Sequence, residues 1–287
     1  MNYHTPAEIA ALVCSIGKAK SETPLAKLLL LGILAGVYIG LASHLATRVV
    51  SWNTAPSSGS QFLFGAVFTV GLMLVVIAGA ELFTGNNMFC MVSSLSGESK
   101  WRGLLYNWSV VYIANFIGSI FLVYLVYIGN FWGTYDTAST TYTITTHGTQ
   151  ALSIAQNKLS LTWEQAFCRG ILCNWLVCLA VWISIAAKDI LGKIWAVFFP
   201  TMAFVVSGYE HSIANMFFIP MGLTIAQNAP EAAAAALKTS PTALLSVFNY
   251  STFVTNNLIP VTLGNIVGGG IFVGAFYWLI YLKPNKK

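Results

Sequence analysis

The chain has 287 residues and a formal net charge of +5; 56% of its residues are hydrophobic and only 8% are charged. An ordinary soluble domain has roughly 25% charged residues, so this composition excludes a water-soluble fold and favours an all-α polytopic membrane protein. The positive charge needs no nucleic-acid partner, because basic residues that flank membrane spans account for it.

The start of the chain lacks the pattern of a signal peptide. Residues 1–26 are instead predicted to form a short amphipathic helix on the cytoplasmic membrane face. Apolar segments of spanning length, about 20 residues each, then recur along the chain. Six are predicted, at about 27–50, 61–96, 104–131, 163–187, 194–226 and 254–282.

Short connectors alternate with longer polar stretches at 132–162 and 227–253, and the threonine-rich run 137–149 predicts an extended loop facing solvent. When basic residues are sorted by alternate connectors, ten lie on one side and three, Arg48, Lys158 and Lys238, on the other. Such a bias predicts that both termini are cytoplasmic, in the cell membrane. An even number of spans requires the same arrangement.

The two halves of the chain share several short patterns in the same order. The pattern Asn-x7-Asn-x2-Gly begins at both Asn107 and Asn257. The run ELFTGNNMF at Glu81 resembles EHSIANMF at Glu210, which reaches the same ending after one fewer residue. A weaker match relates LGILAG (31–36) to RGILCN (169–174). These matches predict a three-plus-three repeat, about 27–131 and 163–282, within one channel domain. Because three spans are an odd number, the second copy would be inverted.

The second and fifth segments are too long for single straight spans, and both carry ionisable residues beside glycines. Glu81 lies within AGAELFTGNN, and Glu210 and His211 lie within SGYEHSIANM. We expect both helices to be broken there, with Thr84 and Ser212 capping the helices that resume.

His211 has two interpretations. It is either a satisfied histidine in a packed helix bundle or a residue of a transport pathway, and its depth in the membrane favours the pathway. The two glutamates are expected to accept hydrogen bonds from backbone N–H groups that the breaks release, because a carboxylate would repel anions. The five cysteines contain no CxxC pattern and predict buried thiols, so neither a metal site nor a cofactor is expected.

Four motifs together, AELFTGNN, CRGILCNWLVCLAVW, SGYEHSIANMFFIPMG and NNLIPVTLGNIVGGGIFVG, resemble the formate/nitrite transporter family, and most closely its formate channels. The resemblance runs from about residue 25 to 282. It implies an aquaporin-like protomer of six spans with two broken helices, assembled in the lipid membrane as a homopentamer with one pore per protomer. It also implies passage of formate, nitrite or hydrosulfide, and in some members acetate or lactate.

The resemblance also implies roles for individual residues. The substrate pathway would contain His211, Thr84, Asn174, Lys158, Asn265 and Glu210. Apolar constrictions would come from Phe68, Leu72, Leu82, Phe83 and Phe204. Arg169 departs from the family pattern, in which formate channels carry an apolar residue; it either attracts anions to the outer vestibule or extends to the membrane interface.

The function predicted is a channel or transporter for formate and related weak-acid anions, with a pH-dependent flux because His211 shares a proton with the anion. Nitrite or hydrosulfide is an alternative substrate. A neutral-solute pore is disfavoured because GNNM and IANM lack the proline of paired Asn-Pro-Ala turns. An enzyme using His211 and Glu210 as acid and base lacks an accompanying nucleophile or metal cluster.

Overall fold

The computed structural model describes residues 3–52, 57–138 and 141–283. The helices are α1 (Pro6–Ser21), α2 (Leu25–Val50), α3 (Ser58–Met73), α4 (Phe83–Leu95), α5 (Trp101–Ile128), α6 (Thr146–Leu159), α7 (Trp163–Ala186), α8 (Ile190–Val206), α9 (Ser212–Asn228), α10 (Pro230–Ala236), α11 (Pro241–Val247), α12 (Tyr250–Thr252), α13 (Ile259–Ile266) and α14 (Phe276–Tyr281). Within these ranges, π-helical segments continue α3 and join α12 to α13 and α13 to α14, at Leu74–Gly79, Phe253–Leu258 and Val267–Ala275.

Continuous apolar helices form most of the molecule. Among the described residues, five stretches are long and apolar enough to cross a membrane: Leu25–Val50, Ser58–Gly79, Trp101–Ile128, Trp163–Ala186 and Pro241–Tyr281. The shorter apolar helix α8 has 17 residues. Helix boundaries lie within a few residues of those predicted, because hydrophobic length marks such segments directly.

Two helices are interrupted where the sequence predicts breaks. The first stops at Gly79 and resumes at Phe83; the second stops at Val206 and resumes at Ser212. Gly79 and Gly208 have φ values of +91° and +71°, which side chains with a Cβ rarely adopt. Each break therefore turns at a glycine.

The connectors are more structured than the sequence predicts. The run 137–149, predicted to be an extended loop, contributes to two elements: β2 (Thr141–Ile144), which pairs antiparallel with β1 (Gly133–Asp136), and the start of α6. Thr145 caps α6 by accepting a hydrogen bond from the Gly148 N–H. The second polar connector contains the short helices α10, α11 and α12. Threonine's preference for strands and caps explains why a threonine-rich run gives both elements.

The N-terminal helix forms as predicted but packs against protein. Thr5 and Glu8 form a capping box around Pro6 at its start. Its face of Ile9, Val13 and neighbouring small residues is buried, and α1 contacts α4 along its length. Because α4 follows the first break, α1 is positioned to hold that region in place.

Helices α2 and α5 approach closely through glycine. A Cβ at Gly118 would overlap the carbonyl oxygen of Ile33, and a Cβ at Gly268 would overlap that of Ile171. The two glycines occupy matching places in the Asn-x7-Asn-x2-Gly patterns. Each allows the last span of its half to lie close against the first, α5 against α2 and the π-helical segment Val267–Ala275 against α7.

A pair of histidines lies away from both breaks. His147 is 1% exposed, and its ring centroid is 4.9 Å from that of His44. In the part of the chain that the structure describes, neither ring nitrogen of His147 has a hydrogen-bond partner. Burial, together with the smaller effects of the nearby His44 and Arg48, lowers the pKa of His147 to about 4.

Replacement of Gly118 by alanine is expected to lower the free energy of unfolding by about 1–3 kcal/mol, because the added methyl group overpacks the α2–α5 contact. Thermal or denaturant unfolding in detergent measures the change. Gly59→Ala is the matched control, since its nearest side-chain atom would be 3.8 Å away. Equal stability of the two variants would contradict the close-packing argument.

Acidification is expected to weaken the fold through His147. In the unfolded chain a histidine has a pKa of about 6.5, so below that value the unfolded state binds more protons than the folded state. The free energy of unfolding should therefore fall as pH drops from about 6.5 towards 4, and this contribution is fully present above 6.5. His147→Gln should flatten this part of the pH profile of thermal stability, whereas His4→Gln should not. Identical profiles for wild type and His147→Gln would contradict it.

Candidate functional site

The first break is held by a buried polar cluster around Glu81. Its Oε1 accepts a hydrogen bond from Lys20 Nζ at 2.7 Å, and its Oε2 accepts one from Asn86 Nδ2 at 2.7 Å. Asn86 Nδ2 also donates to Asn107 Oδ1 at 2.9 Å, and Asn107 Nδ2 donates to the carbonyl oxygen of Lys20 at 3.0 Å. The cluster joins α1, the break, α4 and α5.

The second break repeats this cluster bond for bond. Glu210 Oε1 accepts from Lys158 Nζ at 2.8 Å, and Oε2 accepts from Asn215 Nδ2 at 2.6 Å. Asn215 Nδ2 also donates to Asn257 Oδ1 at 2.7 Å, and Asn257 Nδ2 donates to the carbonyl oxygen of Lys158 at 3.1 Å. Both carboxylates are thus paired with a lysine, as a buried charge requires. The predicted hydrogen bonds from backbone N–H groups are wrong: in the described residues both carboxylates accept from lysine and asparagine side chains.

Two further asparagines hold the unwound backbone. Asn115 Oδ1 accepts from the Phe83 N–H at 3.0 Å, and its Nδ2 donates to the carbonyl oxygens of Gly32 and Glu81. Asn265 does the same in the second half, accepting from the Ser212 N–H at 2.9 Å and donating to the carbonyl oxygens of Gly170 and Glu210. Each asparagine supplies hydrogen bonds that the interrupted helix cannot make.

These equivalences correct two features of the sequence comparison. The common ending NMF suggests that Asn87 corresponds to Asn215, but Asn86 makes the matching bonds, five residues after Glu81 as Asn215 is after Glu210. Lys20 of α1 and Lys158 of α6 also occupy equivalent places. The short helices outside the predicted repeats therefore belong to the same pattern.

The predicted helix caps are wrong. The N-cap residue of α4 is Leu82, which makes no side-chain cap, and Thr84 instead hydrogen-bonds with His211. At α9 the cap is His211, whose Nδ1 accepts from the Ala214 N–H at 3.1 Å. The Ser212 hydroxyl has no hydrogen-bond partner among the described residues. A histidine at a helix start was missed because serine and threonine are the usual caps.

His211 joins the two breaks directly. Its Nε2 is 3.0 Å from Thr84 Oγ1, and both side chains are buried. Because Nδ1 accepts the Ala214 N–H, the hydrogen of the neutral imidazole lies on Nε2 and is donated to Thr84. The Thr84 hydroxyl then retains its own hydrogen for a further partner.

Asn174 lies beside Thr84 but is fully engaged with protein. Its Nδ2 donates to the carbonyl oxygens of Thr84 at 3.1 Å and Asn265 at 2.7 Å, and it lies 3.2 Å from Asn87 Oδ1. With both amide hydrogens used, Asn174 braces the two halves in this structure. Asn265 is engaged in the same way, so neither amide offers a free donor to an anion here.

A cavity of about 730 Å³ leads to His211. We call it the vestibule. Of the predicted pathway residues, Lys158, Glu210 and His211 line it, together with Arg169 and polar side chains such as Gln61 and Gln150. Thr84, Asn174 and Asn265 do not line it.

The predicted constriction residues separate into two groups. Phe68 and Phe204 line the vestibule, with ring centroids 6.0 Å apart, and Phe204 stacks on His211 at 5.9 Å. Leu72, Leu82 and Phe83 are buried but do not line it; the Phe83 ring packs on Tyr112 at 4.9 Å.

The sequence did not predict the vestibule-lining residues Phe64 and Phe218. Phe218 stacks between Phe64 and Phe68, and Lys158 Nζ lies 5.5 Å from its ring centroid. The paired phenylalanines FF in the quoted fifth-segment motif were the available indication.

Known proteins of one family match this chain over nearly its whole length. The family model described as formate/nitrite transporter matches residues 7–279. A probable formate transporter of Methanothermobacter thermautotrophicus is 43% identical over 291 residues, which are 98% of either chain. The formate channel FocA of Escherichia coli strain K12 is 38% identical over 283 residues, covering 98% of this chain and 95% of that relative. A solved structure described as a pentameric formate channel with formate bound is 42% identical, with a TM-score of 0.78 over 90% of this chain and 98% of the other.

Lys20→Met is expected to destabilise the fold by about 3–5 kcal/mol, because it leaves the Glu81 carboxylate buried and without its cation. The double variant Lys20→Met/Glu81→Gln should recover much of the loss. Thermal unfolding in detergent measures both. Lys18→Met is the matched control on the same helix: its pair with Glu98 is 3.4 Å long and about half exposed, so the expected change is about 1 kcal/mol or less. Equal losses from Lys18→Met and Lys20→Met would contradict the buried-pair argument.

Proposed function

Because the chain belongs to the formate/nitrite transporter family, we propose that it is a membrane channel through which formate passes by way of the vestibule and His211. One observation carries the proposal: the Nε2 of a buried imidazole meets Thr84 where the two helix breaks come together, at the inner end of a cavity that also contains cations. Such a place offers a hydrogen-bond donor to a small anion deep in an apolar protein.

The proposed topology is an aquaporin-like arrangement of six spans in two inverted halves. It is supported by the duplicated lysine–glutamate–asparagine clusters and by the two interrupted helices. The repeats would extend beyond 27–131 and 163–282 to include α1 and α6, within a single channel domain. The bias of basic residues supports cytoplasmic termini in the cell membrane, with the vestibule opening outwards.

We also propose a homopentamer surrounded by lipid. The related solved structure is described as pentameric. Large apolar side chains are exposed along α2, α5 and α8, including Leu30, Phe121, Tyr124 and Phe199. Neighbouring protomers and lipid would cover these surfaces, since water would not solvate them favourably.

The anion would first enter the vestibule and then pass between Phe68 and Phe204. A bare anion faces an insertion penalty of at least several kcal/mol among apolar rings. A donor at the end of the passage lowers that penalty. The free hydrogen of the Thr84 hydroxyl, and the His211 Nε2–H once it turns from Thr84 Oγ1 to the anion, are the donors that we assign to this step.

Proton sharing at His211 is constrained by its role as a helix cap. The neutral ring donates Nε2–H to the anion; a second proton can be added only at Nδ1, where the Ala214 N–H now binds. For formic acid to form, a proton from solvent must first be taken up at Nδ1, which breaks that hydrogen bond, and Nε2 then releases its proton to the carboxylate. The ring ends neutral, with its remaining proton on Nδ1, and must exchange tautomers before it can cap α9 again. We therefore expect donation to be the ordinary state and full transfer to occur at low pH.

Leu72, Leu82 and Phe83 would form the apolar passage beyond His211. Asn174, Asn265 and Glu210 would set its shape by bracing the backbone. Nitrite and hydrosulfide are the alternative substrates of the same site, because each is a small monovalent anion of a weak acid. Acetate and lactate would test how far the pair of phenylalanines restricts size.

The role of His211 is tested with wild-type, His211→Asn and His211→Phe protein in proteoliposomes. Asparagine retains a cap for α9 and a donor, but it does not titrate, so formate flux should persist with a weaker pH dependence. Phenylalanine removes cap, donor and titration, and flux of the anion at neutral pH should fall at least tenfold, the effect of roughly 1.4 kcal/mol. Circular dichroism checks that each variant is folded.

Formate flux measured between pH 5 and 8 tests whether His211 shares a proton with the anion. Nitrite and hydrosulfide flux, measured in the same way, tests which substrate the channel conducts. An unchanged pH dependence in both variants would remove proton sharing from the mechanism. Absence of formate flux in the wild type, with flux of another anion, would change the proposed substrate.

A further inference from the structure

The positive charge of the vestibule is not where the sequence first suggests. Lys158 lines the cavity, but its Nζ is 2.8 Å from Glu210 Oε1, and the two side chains are 15% and 5% exposed. Opposite charges this close largely cancel at the distance of an approaching ion. Lys158 therefore contributes little long-range attraction.

Arg169 is the cation that remains. It is exposed, lines the same cavity, and its guanidinium has no carboxylate within 4.0 Å in the part of the chain that the structure describes. Its backbone is fixed, because its carbonyl oxygen accepts the Glu210 N–H at 3.2 Å. The side chain thus starts from a point of α7 whose backbone is hydrogen-bonded to the second break.

The duplicated pattern identifies the counterpart of Arg169 in the other half. The Glu81 N–H donates to the carbonyl oxygen of Leu31 at 3.1 Å, as the Glu210 N–H does to that of Arg169. Around each break, the lysine–glutamate pair is conserved between the halves. At this one position an unpaired cation in one half corresponds to an apolar side chain in the other.

We propose that Arg169 is the anion-capture residue of the vestibule, and that it lowers the concentration of small carboxylate anions needed for uptake from the vestibule side alone. The proposal rests on the proposed function, since it assigns a step to the same pathway. A guanidinium suits it because its planar set of donors matches a carboxylate and its charge is permanent.

The experiment measures initial formate flux in right-side-out and inverted membrane vesicles, as a function of formate concentration on the outer face of each. For Arg169→Leu, which copies Leu31, the apparent KM from the vestibule side should rise about three- to tenfold, as expected for loss of one unpaired charge at a partly solvated site. The maximal rate from the vestibule side and the KM from the opposite side should not change. Because a passive channel has the same ratio of maximal rate to KM in both directions, the maximal rate from the opposite side should fall by the factor by which the vestibule-side KM rises. Arg169→Lys should recover most of the affinity.

Salt gives an independent readout. Screening becomes strong when ionic strength rises from about 0.05 M to about 0.5 M, so the wild-type vestibule-side KM should rise, whereas that of Arg169→Leu should stay nearly constant. Lys238→Gln is the matched control: it removes one charge from the connector that follows α9, on the same predicted face, but Lys238 does not line the vestibule.

The outcomes separate the two proposals. If wild-type vesicles show no formate flux, the proposed function is wrong. If they conduct formate but Arg169→Leu keeps the wild-type KM and salt dependence, or if Arg169→Lys is as impaired as Arg169→Leu, capture by Arg169 is overturned. An equal rise in KM from both sides would also overturn it, because a local vestibule charge acts on one side.

Discussion

The fold depends on satisfying backbone polar groups where two helices are unwound inside an apolar protein. Each break leaves N–H and C=O groups without helical partners, and each such group is expensive to bury unpaired. Asn115 and Asn265 meet that requirement with one acceptor and two donor contacts apiece. The paired glutamates then connect the breaks to α1 and α6. Other features of the site, including the position of His211, follow from this frame.

Much of the architecture follows from the sequence because apolar length and buried ionisable residues are strong signals. The five long apolar helices were located within a few residues, except that the last, Pro241–Tyr281, begins earlier than predicted, and both breaks lie at the expected glycines. The equivalence of α1 and α6 was not predicted, since two short helices that share little more than a terminal lysine give no recognisable alignment. The hairpin in the connector was also missed, because threonine-rich runs are compatible with loops, strands and caps alike.

The sequence predicted which residues lie near the site more accurately than it predicted their hydrogen-bond partners. His211, Lys158 and Glu210 line the same vestibule, as the family resemblance implied. Which groups each side chain uses depends on atoms brought together from distant segments. Thus Thr84 hydrogen-bonds with an imidazole instead of capping its helix, and Asn174 donates both amide hydrogens to acceptors within the protein. The equivalence of Asn86 and Asn215 is likewise visible only in the hydrogen-bond pattern, because the sequence alone aligns Asn215 with Asn87.

The halves also differ at the centre, where Leu82 occupies the place that His211 occupies in the other half, each one residue after its glutamate. The described structure therefore has one imidazole at the meeting point of the breaks. In the proposed mechanism a single imidazole can transfer at most one proton to each anion that passes. A formate ion that crosses with one proton carries no net charge, so its passage is electroneutral. The membrane voltage, worth about 2.3 kcal/mol per charge at 100 mV, would then neither drive nor oppose it.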